Sequence, residues 1–158
     1  MKYSILLFVF INILLQGCIL EKDNDSSEFS ENWKSQCHEI VDEAFYNYVT
    51  TLTDNTFSSI TRYYYDSSCT ITNSTPIYSN SGTYTISGEV TISSGVTARK
   101  IDVIILKEDN KDVDIATFDL ISIISGKLYL GLLTDTLDST SANKRPIDLD
   151  FNDPRTKI

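Results

Sequence analysis

The sequence predicts an all-β protein: an antiparallel meander of about eight strands, forming a barrel or half-barrel, with one disulfide. Three observations carry that prediction. Nine Tyr and seven Phe, with many Thr, Ile and Val, tilt the composition toward β-structure. Residues 83–92 alternate as a half-buried strand does, with Tyr84, Ile86, Val90 and Ile92 on one face and Thr83, Thr85, Ser87, Glu89 and Thr91 on the other. Gly88 falls on the apolar face and marks a bend or a bulge. Clusters of Asp, Asn, Ser and Gly punctuate the chain at short intervals, so neighbouring strands are expected to pair antiparallel.

The elements follow in order. Residues 33–37 make a short first strand, and residues 42–53 a second that ends at the turn pair Asp54-Asn55. A helix competes over residues 37–49, where His38, Val41 and Phe45 share a helical stripe, and a helical turn around 38–44 stays open. Residues 56–65 run to Asp66-Ser67-Ser68. Residues 69–78 are a broken piece with Pro76, followed by Ser79-Asn80-Ser81-Gly82, which reads as a turn. Residues 83–92 end at Ser93-Ser94-Gly95, residues 96–107 at Glu108-Asp109-Asn110-Lys111, and residues 113–124 at Ser125-Gly126. Residues 127–133 are the last strand, before a polar stretch and a charged, proline-containing tail. Two late strands are apolar on both faces: Ile101, Val103 and Ile105 oppose Ile104 and Leu106. Residues 101–106 and 113–124 therefore need cover from outside, by the tail or a partner.

Ahead of the strands, Lys2 supplies a positive start and residues 5–15 an apolar run broken only by Asn12. That run has the length of a signal-peptide core and is short for a membrane span. It ends at Leu15-Gln16-Gly17-Cys18, which resembles the lipobox of bacterial lipoproteins. The resemblance implies cleavage before Cys18 and lipidation of that cysteine, with palmitate among the acyl chains. The protein is then held at a membrane through its N-terminal lipid. Ile19 and Leu20, in place of Asp, imply the outer membrane of a Gram-negative envelope. A plain secretory signal or an uncleaved anchor is the competing reading. Residues 1–17 are thus the leader, 18–32 a lipidated start and polar tether, 33–133 the barrel domain, and 134–158 a C-terminal extension that packs on the barrel or trails from it. The formal charge of −9, which loses a further cation with Lys2, argues against nucleic acid as a partner.

Of three cysteines, Cys18 is assigned to the lipid, which leaves Cys37 and Cys69 as an even pair. In an oxidising compartment such a pair is expected to form a disulfide, contributing about 3–4 kcal/mol in the chain-entropy model. The rival is a metal or redox pair, but no CxxC occurs, and His38 points away from Cys37 in a strand.

A set of residues spread over the mature chain supports a second resemblance. Trp33-x-x-x-Cys37, Phe57, Tyr64-x-Asp66-x-x-Cys69, Gly82-x-Tyr84-x-Ile86, Leu128-Tyr129-Leu130-Gly131 and Arg145-Pro146-x-Asp148-Leu149 are similar to bacterial secreted and lipoprotein sequences with a lipocalin-like β-barrel. Glu31 stands where lipocalins carry the glycine of G-x-W. In such barrels a late arginine can lie over the first-strand tryptophan, which implies Arg145 over Trp33, against a reading of Arg145 as a solvated charge.

Residues that could carry chemistry are sparse. His38, the one histidine, has no serine or cysteine at a recognisable motif spacing, and no GxSxG, HExxH or phosphate-cradling glycine loop occurs. Asp109, Asp112, Asp114 and Asp119 lie around one expected hairpin without calcium-loop spacing and read as a solvated acidic turn. Asn24-Asp25-Ser26 and Asn73-Ser74-Thr75 match the glycosylation sequon, which a bacterial chain leaves bare. Tyr63-Tyr64-Tyr65 cannot form one stacking platform in a strand and reads as core packing. The expectation is a non-catalytic barrel without cofactor or metal, binding a small, partly apolar ligand against Tyr84, Ile86 and Val90. The other expectation is a solid barrel that contacts an envelope protein.

Overall fold

The computed structural model describes residues 26–40, 44–73 and 77–158. The leader, Cys18 and most of the tether lie outside the described residues, as do parts of the expected strands at 42–53 and 69–78 and of the sequon at Asn73. Among the described residues nine strands form: β1 (Asn32–Lys34), β2 (His38–Glu39), β3 (Phe45–Thr53), β4 (Thr56–Tyr64), β5 (Tyr78–Thr91), β6 (Thr97–Glu108), β7 (Lys111–Ile124), β8 (Lys127–Leu130) and β9 (Arg155–Lys157). From β3 to β8 each strand pairs antiparallel with the next. β9 pairs with β8 and β1, and β1 pairs with β3, so eight strands close on themselves, leaving β2 as an extra strand on β3.

Turn chemistry explains the meander. Asp109 and Asn110 between β6 and β7, and Ser125 and Gly126 between β7 and β8, all have positive φ, as a two-residue hairpin of type I′ requires. Ser79-Asn80-Ser81-Gly82 is not the turn its composition suggests. These residues lie within β5 and pair with β4 and β6. Gly82 is there for a close approach: a Cβ on it would stand 1.9 Å from the Ile104 carbonyl oxygen. The helical alternative at 37–49 is replaced by β2 and β3 over the described residues.

One cluster inside the barrel joins Phe29, Trp33, Leu52, Tyr84, Ile86, Ile101, Ile121 and Leu128. A 3-10 turn at Ser27–Phe29 plugs the end formed by the β3–β4 hairpin. Trp33 Nε1 donates to the Phe29 carbonyl at 2.9 Å, and the Asp54 amide donates to Ser30 Oγ at 3.1 Å. A second cluster, Ile92, Ala98, Leu120 and Leu149, lies on the outer face under the C-terminal segment. The doubly apolar strands thus obtain part of their cover from the tail, while Ile104 and Leu106 stay exposed.

The tail does more than cover. Leu149 bridges to Gly131, Pro146 is fully buried, and the chain then returns to supply β9, a barrel strand with no signal in the sequence. Arg145 pins this path by donating to the Ile101 and Asp119 carbonyls at 2.9 and 2.6 Å and pairing with Asp102. Its guanidinium lies 5.5 Å from the Phe118 ring, not over Trp33 as the resemblance implies. Cys37 and Cys69 are disulfide-bonded, with their Cα atoms 5.7 Å apart.

Candidate functional site

The barrel is not filled. A cavity of about 210 Å³ lies between the plugged end and the opposite mouth. Its walls follow from strand alternation: Thr50 and Leu52 on β3, Phe57 and Ser59 on β4, and Val103 and Ile105 on β6 all point inward. Leu128 and Leu130 on β8 and Arg155 on β9 close the far side. The floor is apolar, and polar groups converge toward the mouth, among them Asn80, whose Oδ1 is buried without a hydrogen-bond partner.

Arg155 is the central charged group. Its Nη2 donates to the Tyr48 hydroxyl at 3.2 Å, and Nη1 makes a long 3.4 Å contact with Thr50 Oγ1. The guanidinium carbon lies 4.5 Å over the Tyr48 ring. Nε is buried without a partner, and among the described residues no carboxylate lies within ion-pair distance of this guanidinium. Tyr48 in turn donates to Asp153 Oδ2, and burial, outweighing the nearby guanidinium, pushes its hydroxyl up to about 12. His38 stacks parallel on Tyr48 at 5.9 Å, and its Nε2 lies 3.1 Å from Asp153 Oδ1 without hydrogen-bond alignment.

Asp119 faces the same space from β7. Its Oδ1 accepts from the Leu120 and Gly131 amides at 2.7 and 2.9 Å. Some of its surface remains open to a neighbouring groove of about 280 Å³, which it shares with Arg155, Leu130 and Tyr48. Protein encloses it on the other sides, and that desolvation raises its carboxyl to about 6 against the pull of both amides, Arg155 and Arg145.

The structure brings together only part of the expected ligand face. Tyr84 lines the cavity, and Ile86 packs in the cluster beneath it. Val90 does not join them. The bulge at Gly88, where the β5–β6 register shifts between Ser87 and Glu89, flips the alternation, so Val90 pairs with Ala98 and packs in the outer cluster. Cys37 and Cys69 sit together in their bridge away from the cavity. The acidic hairpin also comes apart: Asp112 pairs with Lys107 at 2.6 Å, Asp109 accepts from the Ser79 amide at 2.8 Å, and Asp119 turns inward. Among the described residues no three His, Cys, Asp or Glu side chains group as metal ligands.

Sequence reasoning misses Arg155, Asp119, Tyr48 and Asn80. Tyr48 shares the alternation of Thr50 and Leu52, and Asp119 that of Thr117 and Ile121, so both are legible as inward residues once direction is known. Arg155 stands in a three-residue strand with no pattern to find. No protein-family model and no curated protein sequence matches the chain.

Proposed function

We propose that this chain is an envelope-anchored bacterial lipoprotein, lipidated at Cys18, whose lipocalin-like barrel binds a small, partly apolar ligand without transforming it. The observation that carries the binding is the hollow interior, with an apolar floor and polar groups gathered at one end. Its volume lies below the roughly 300–1,000 Å³ of pockets for drug-sized ligands, so the ligand is small. Among the described residues the cavity walls carry neither histidine nor cysteine, and the one carboxylate there is tied to backbone amides, which supports binding over turnover. The anchor rests on the leader and on Leu15-Gln16-Gly17-Cys18, with the outer membrane as the address.

Native mass spectrometry of the protein purified from its own organism tests this reading. A retained small molecule together with a mass carrying the N-terminal acyl chains is the expected result. An empty, unacylated chain would overturn it. The exposed Ile104 and Leu106 favour a second reading, in which the outer face of β6 contacts an envelope protein.

A further inference from the structure

We infer that the barrel cavity takes a medium-chain monocarboxylate, its carboxylate held by Arg155 and its hydrocarbon against Phe57, Val103, Ile105 and Leu130. This rests on the ligand-binding reading above and adds the headgroup. An arginine cannot shed its proton, so enclosing it next to apolar surface is costly unless an anion faces it. The other arginines with an ion pair show the usual solution: Arg99 faces Glu28 at 3.3 Å and Arg145 faces Asp102. Among the described residues Arg155 has no ion pair: its direct contacts are hydroxyls and an aromatic face, and the Asp119 charge acts on it only from beyond contact distance.

The nearby acids do not complete it. Asp119 spends Oδ1 on two amides and lies beyond contact distance, and Asp153 is engaged by Tyr48 and faces His38. Asp150 lines only the adjoining groove. The Nη1 contact with Thr50, at 3.4 Å, is longer than the about 2.7–3.2 Å of a normal N–H···O bond, so this nitrogen retains donor capacity toward the cavity. A planar fork of donors above an apolar floor matches a carboxylate on a hydrocarbon chain, with charge-assisted bonds at one end and buried methylenes at the other.

Calorimetric titration of the full chain with octanoate, 1-octanol and octylamine decides it, using Arg155→Gln and Arg155→Lys beside the unaltered protein. Octanoate is expected to bind at least about tenfold more tightly than octanol. Arg155→Gln brings the two together by weakening octanoate alone, and Arg155→Lys keeps part of the preference. Equal binding of octanoate and octanol, or a preference for octylamine, would overturn the anionic headgroup while leaving the cavity as a binding site. Binding of none of the three would overturn both. Should Arg155→Gln fail to fold, the octanoate-to-octanol ratio of the unaltered protein is decisive by itself.

Discussion

Asp119→Asn probes the electrostatics of the interior. The substitution keeps the shape and an oxygen that accepts from the Leu120 and Gly131 amides, and it removes the charge. Burial raises the Asp119 carboxyl from 3.8 to about 6, so between those values the folded protein holds a proton that the unfolded chain has lost. Stability therefore falls as pH rises through that window, and above about pH 6 the penalty is complete. Two pH units correspond to about 3 kcal/mol, and part-exposure to the groove reduces this to about 2 kcal/mol. At pH 7.5 the variant is expected to be more stable than the unaltered protein by that amount, and by less than about 0.5 kcal/mol at pH 4. Urea unfolding at both pH values, followed through Trp33, reads this directly, because the single tryptophan is 3% exposed in the fold. A variant of equal or lower stability at pH 7.5, or a gap that does not close in acid, would show that the Asp119 charge carries no burial penalty.

Three further outcomes are expected. Reducing Cys37–Cys69 opens a loop of 32 residues and lowers unfolding free energy by about 3–4 kcal/mol, read as a drop in the urea midpoint; an unchanged midpoint contradicts it. Gly82→Ala drives a Cβ into the Ile104 backbone and costs about 2–3 kcal/mol, whereas Gly88→Ala meets nothing within 4 Å and costs under about 1 kcal/mol. Equal losses in those two variants would show that the close approach of β5 and β6 does not matter. Metabolic labelling with palmitate is expected to mark the chain and to miss Cys18→Ser; label retained on the variant would remove the lipid from that cysteine.

The meander is legible because its signals are local. A strand over residues 83–92 and turn pairs such as Asp54-Asn55 depend on neighbours in the chain; the strand and the turn stand in the structure, with the alternation kept as far as Gly88. What cannot be read depends on distant partners. Ser79-Asn80-Ser81-Gly82 has turn composition, yet Gly82 is required by a carbonyl on another strand. Gly88 reads as a bend or bulge, but only the register of β6 shows that it moves Val90 out of the interior. Arg145 stands out in the sequence, and its partners are the carbonyls of β6 and β7 instead of Trp33. Arg155 enters the barrel only because the tail folds back across the outer face, held by Leu149 and Pro146, and no local pattern encodes that return.

Binding inside the barrel depends on its being hollow, and the hollow can be filled. Val103 lines the cavity from β6, so Val103→Phe places a ring where the ligand's hydrocarbon would lie. With folding checked by circular dichroism, the octanoate dissociation constant of this variant is the measurement. A folded barrel that no longer binds octanoate is the expected outcome. Octanoate affinity equal to that of the unaltered protein would contradict binding in the cavity and place the ligand elsewhere.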